Sequence, residues 1–66
     1  MTIHKLQKVL ETAGKRIIKS KDKIICYPYS LKWKGETYTI IKDKKILFST
    51  KDEEAACNMF LSIMGD

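Results

Sequence analysis

Ile25-Cys26-Tyr27-Pro28-Tyr29-Ser30-Leu31-Lys32-Trp33 carries an apolar or aromatic residue at every odd position and a smaller or charged one at every even position. Alternation with a period of two marks extended chain, because successive side chains of a strand point to opposite faces. The spacing predicts one ribbon, with rings and aliphatics on one face and an edge that turns basic at Lys32 and Lys34. Pro28 has no N–H to give a sheet ladder, so it puts this stretch at an edge or divides it into two pieces. On the edge reading, Ile25 and Leu31 enter the core, while Tyr29 and Trp33 lie nearer the rim and remain available to a partner.

Outward from the ribbon, the chain keeps strand chemistry on both sides. Ile17-Ile18 and Ile24-Ile25 flank Lys21-Asp22, which reads as a short hairpin. Downstream, Lys34-Gly35 suits a tight turn into the strand Glu36 to Lys42, and Asp43-Lys44 turns into Lys45 to Ser49, with Ile46 and Phe48 expected on one face. An antiparallel meander of three or four strands follows. Before it, Ile3, Leu6, Leu10 and Ala13, joined by Val9, make the stripe of a helix from Ile3 to Ala13, opened by Thr2 and closed by Gly14. After it, Thr50-Lys51-Asp52-Glu53 matches a capping box and predicts a helix from Lys51 to Met64, ended by Gly65. Its apolar stripe (Ala56, Phe60, Ile63, with Cys57, Leu61 and Met64 beside it, and Met59 flanking) is wider than a small sheet usually covers, so either the sheet and the first helix both pack on it or another chain buries part of it. The expected architecture is therefore α+β: helix, antiparallel meander, and a helix packed on the sheet.

The 66 residues suffice for one small domain, 1–66, which buries about 60% of the surface its unfolded chain exposes. Neither a secretion signal nor a run near the ~18 apolar residues of a membrane span is present, so a soluble cytoplasmic protein with no membrane partner is expected. Cys26, Cys57 and the single His4 are too few and too scattered for a metal site, and the cysteines read as small buried hydrophobes. Glycines stand apart, without a phosphate-cradling loop, and Asp52, Glu53 and Glu54 are explained as helix-start residues. No catalytic set, metal or cofactor is expected, and the chain reads as a non-enzyme.

Charge points toward binding. Lys15 to Lys51 holds eleven of the thirteen basic residues against Asp22, Glu36 and Asp43, a local surplus of eight. Lysine outnumbers arginine twelve to one, and lysine acts as a hydrated point charge rather than a planar fork. With nine isoleucines, that balance is what A/T-rich coding sequence produces, suggesting a low-GC bacterium or one of its phages. Rings beside lysines are one way to hold single strands, by stacking bases while cations follow phosphates.

In element order the chain resembles the double-stranded-RNA-binding domain, and Lys23 to Met64, with Thr50, Lys51 and Glu54-Ala55 entering the helix, resembles the arm-binding domain of phage-type integrases. The first resemblance implies a lysine cluster at the start of the last helix. Here that stretch reads Lys51, Asp52, Glu53, Glu54, with acid where that family grips phosphate.

The favoured reading is a small basic regulator or inhibitor that binds another protein, encoded by a phage or mobile element and directed at a host or defence factor. Its expected partner-binding residues are Tyr27, Tyr29, Lys32, Trp33 and Lys34. The alternative is a nucleic-acid binder that contacts phosphates through Lys19, Lys21, Lys23, Lys42, Lys44 and Lys45. The acidic start and apolar body of the last helix make it a poor groove reader, which ranks protein first. An unpaired strand edge or exposed helix face also predicts a homodimer.

Overall fold

The computed structural model describes residues 1–65. Its elements run α1 (Ile3–Thr12), β1 (Ile18–Lys19), β2 (Lys23–Cys26), β3 (Tyr29–Lys34), β4 (Thr37–Lys42), β5 (Lys45–Thr50) and α2 (Glu53–Gly65). All five strands form one antiparallel meander in the order β1-β2-β3-β4-β5, one strand more than the three or four expected. The class is α+β, with α2 packed on β3, β4 and β5 and α1 packed on α2.

Both helices are delimited by local chemistry. At the start of α1 the Thr2 hydroxyl accepts the Lys5 N–H at 3.3 Å, and the end closes with Gly14 N–H on the Glu11 carbonyl and Lys15 N–H on the Leu10 carbonyl. That pair of bonds is a Schellman closure, with Gly14 at φ 79° taking the left-handed position. The start of α2 departs from the expected capping box. Asp52, not Thr50, caps the helix by accepting the Glu54 N–H at 3.1 Å, while the Thr50 hydroxyl holds the Asp52 N–H at 3.1 Å. Glu53 is thereby freed from capping its own helix, and its carboxylate accepts the Ile3 N–H of α1 at 2.8 Å. A negative group at the positive end of α1 ties the two helix starts together.

The ribbon is two strands rather than one. Cys26 sits directly opposite Tyr29 in the β2–β3 register, so Tyr27 and Pro28 form a two-residue turn, joined by a cis peptide bond. Opposed residues in a sheet share a face, so even positions of β2 align with odd positions of β3. Ile25 therefore does not enter the core with Leu31. Ile24 does, and the row Ile24, Leu31, Ile40, Phe48 crosses four strands beneath the helices. The ribbon is also no edge: β3 is the central strand, and the edges are β1 and β5. A bulge at Leu47 sets Ile40 opposite Phe48 but Ile41 opposite Ile46, so Ile46 and Phe48 do not share a face.

The core consists of Leu6 and Leu10 from α1, Ile24, Cys26, Leu31 and Ile40 from the sheet, and Ala56, Cys57 and Phe60 from α2. Ile3, Leu61, Ile63 and Met64 pack around it, so α2's wide stripe is taken up within the chain, whereas Val9, Ala13 and Met59 stay exposed.

Gly35 opens the β3–β4 turn at φ 62°, the first central position that a II′ turn reserves for glycine. Nothing lies within 4 Å of a Cβ placed there, so Gly35→Ala meets only backbone strain. It is expected to cost about 1–2 kcal/mol, read as a lowered urea midpoint with unchanged slope.

Candidate functional site

With both helices on one side, the other side of the sheet has no covering layer. Its residues follow from register: Ile18, Ile25, Ser30, Ile41 and Ile46 form one row across all five strands. Lys23, Lys32, Thr39 and Ser49 form the next row, followed by Lys34 opposite Thr37. β-branched residues suit the pleat, which explains why the strands form, but only the helix side needed apolar ones. Ile18 is 62% and Ile46 66% exposed, and Ile25 and Ile41 are half-buried between them. The row spans about 19 Å at the usual ~4.8 Å strand spacing. The face presents an aliphatic half beside a cationic and hydroxyl half, and none of the residues in these rows is acidic. A shallow hollow of about 410 Å³ lies among Lys32, Lys34, Thr37, Thr39 and Ile41.

This arrangement divides the expected partner-binding set. Lys32 and Lys34 lie exposed on the open face, whereas Tyr29 and Trp33 are half-buried on the helix side, packed against the core. Tyr27 projects from the β2–β3 turn, 84% exposed. Tyr38 and Phe48 also pack on the helix side, and Phe60 is in the core, so no ring stands on the open face. The isoleucine row is hard to see in the sequence because Ile18, Ile25 and Ile41 are the second residues of Ile-Ile pairs and Ile46 is parted from Phe48 by the bulge at Leu47. Register alone assigns them to this face.

The expected phosphate contacts are likewise separated. Lys19, Lys21 and Lys23 gather around the β1–β2 turn, and Lys42, Lys44 and Lys45 around the β4–β5 turn, at the opposite end of the meander. Six-residue strands put about 20 Å between those ends. Lys42 lies on the helix side, with its Nζ 5.7 Å from the Tyr29 ring centre. Lys15 and Arg16, absent from either expected set, line a groove beside Tyr27 and Tyr29.

Both cysteines are free and buried. Burial first, and then the Glu53 carboxylate, pushes the Cys57 thiol up to about 11 from its ordinary 9.0. Tyr38 is raised above 10.0 by the same causes in the same order, with Cys57 adding to the effect. A proton held more tightly in the folded state stabilises the fold below the ordinary value and stops doing so as pH climbs through the folded one. Stability is therefore expected to fall as pH rises from about 9 toward about 11. Urea titrations over that range should show a smaller fall for Cys57→Ala, and equal falls would contradict a raised thiol. The protonated thiol is no nucleophile. Among the described residues no three His, Cys, Asp or Glu side chains converge to hold a metal ion, and no helix is long and apolar enough to cross a membrane.

No protein-family model matches the chain, and no match to it is found among curated proteins or solved structures.

Proposed function

We propose that the protein acts by binding another protein through the open face of its sheet, as a small basic regulator or inhibitor rather than an enzyme. The observation that carries this reading is the uncovered row Ile18, Ile25, Ile41, Ile46, flanked by Lys23, Lys32 and Lys34. Sheets in small domains pack an apolar face against a further layer, and a contiguous exposed aliphatic row marks an interaction surface. The lysine-rich, isoleucine-rich composition supports a phage or mobile-element source and a host or defence factor as target. The outer edge of β5, with no strand beside it, supports a second copy as a further partner, to be checked by sedimentation.

The nucleic-acid reading keeps its lysines but loses its stacking element. Sheet-face binders of single strands present rings on the open face, and here the strand rings lie on the other side. The test is a pull-down from low-GC bacterial lysate, with and without nuclease, comparing the natural chain with the Ile25→Thr, Ile41→Thr double variant. A stoichiometric protein that survives nuclease and is lost with the double variant is the expected result. Recovery of nucleic acid alone, falling steeply with salt, overturns the proposal.

A further inference from the structure

A second opening lies at the end of the sheet where β1 parts from β2. The register pairs Ile18 with Ile25 and, if continued, would set Arg16 opposite Tyr27. Pairing stops instead, because the chain must climb to Gly14 at the end of α1. The gap this leaves is a groove of about 450 Å³, within the roughly 300–1,000 Å³ of small-ligand sites. Its floor is apolar, with Ile25 and Met64 among the residues forming it, and its charged groups are Lys15 and Arg16. Tyr27 and Tyr29 line the same groove, and among the described residues no acidic one does. Here, unlike on the open face, rings and cations do converge. Tyr27, at 84% exposure, is the most open of the large apolar side chains, although burying a ring of that size is normally favourable.

We propose that this groove binds an organic anion with a flat apolar body, the body seated against Tyr27 and the aliphatic floor and the anionic group held by Arg16 and Lys15. Arginine's planar fork matches a carboxylate or phosphate through two parallel hydrogen bonds, and this is the only arginine in the chain. Two cations beside an apolar floor, with no carboxylate among the described residues lining it, favour a ligand that brings its own negative charge. Lys42, against the Tyr29 ring, adds positive potential at the same end. A nucleotide and an aromatic carboxylate share this chemistry. The groove borders the open face and shares Ile18 and Ile25 with it, but Arg16, Lys15 and Tyr27 lie outside the open-face rows, so changes at these three test the anion site while leaving the protein-binding proposal standing.

The test is an amide NMR titration of the whole chain with two matched pairs, adenosine monophosphate against adenosine and naphthoate against naphthamide. The expected result is saturable shifts at Gly14, Arg16 and Tyr27, with an anion bound at least about tenfold more tightly than its neutral partner. Preference confined to the first pair assigns a nucleotide, and preference confined to the second assigns an aromatic carboxylate. Arg16→Glu should weaken the anion by about tenfold or more, and Tyr27→Ala should weaken it while the fold persists. Lys32→Glu, on the open face, should leave it unchanged. Equal binding of neutral and charged partners, shifts centred on Lys32 and Lys34, or no saturable shift up to about 1 mM overturns the proposal.

Discussion

Phe60→Ala is expected to cost the fold about 3–5 kcal/mol, the largest loss of any single truncation in the core. Phe60 is fully buried and heads the largest side chains of the core, where α2 meets the sheet and α1. Removing a ring from such a site loses its transfer free energy and leaves a cavity, together about 3–5 kcal/mol. A chain of 66 residues has about 3–10 kcal/mol of stability in total, at roughly 0.05–0.15 kcal/mol per residue. The loss is therefore about a third of the whole at the least, and equals it at the low end of that range. Urea unfolding followed by circular dichroism measures it, and Met59→Ala is the comparison, since Met59 lies on the same helix but is 37% exposed. Met59→Ala should cost about 0.5 kcal/mol or less. A Phe60→Ala cost below about 1 kcal/mol would show that α2 is not the centre of the core.

The second large effect concerns binding. Ile25→Thr with Ile41→Thr is expected to weaken the protein partner by about 30- to 1,000-fold, since truncating two anchors near the centre of an interface removes about 2–4 kcal/mol. The two residues flank Ser30 of the central strand on the open face. Threonine keeps the β-branched shape that the strand needs, so the fold should lose no more than about 1 kcal/mol per site. Calorimetry with the partner recovered by pull-down measures the first quantity and urea unfolding the second. Unchanged affinity in a folded double variant would remove the open face as the docking surface.

The sequence made the local devices legible because each is a short-range bond. Thr2 and Gly14 bound α1 as read, since a cap needs only a hydroxyl or a left-handed residue within a few positions. The acidic start of α2 was legible too, but its partition was not. Asp52 caps the helix, Thr50 holds the Asp52 N–H, and Glu53 turns to Ile3, fifty positions away in sequence. No local pattern encodes a partner at that distance.

The faces of the sheet were less legible, and the ribbon shows why. An alternation of odd positions from Ile25 to Trp33 looks continuous, yet each two-residue hairpin makes residues of opposite parity share a face, as Cys26 with Tyr29, Lys34 with Thr37, and Lys42 with Lys45. Adjacent isoleucines at 24–25 and 40–41 fit either side, so composition could not say which member enters the core. The choice fell to long-range packing of Ile24 and Ile40 beneath Phe60 and Leu6.

By itself, then, the sequence determined the class: an N-terminal helix, a run of antiparallel strands and an apolar C-terminal helix, each written in periodicity, caps and turn residues. Tertiary structure alone decided the two features on which function is proposed. Register turned the rings toward the helices and left an isoleucine row facing outward, and the early end of β1 opened a groove between Arg16 and Tyr27. Both depend on which residues stand opposite one another across the sheet, and that is set when one face is buried against α2, a contact no local stretch of the chain contains.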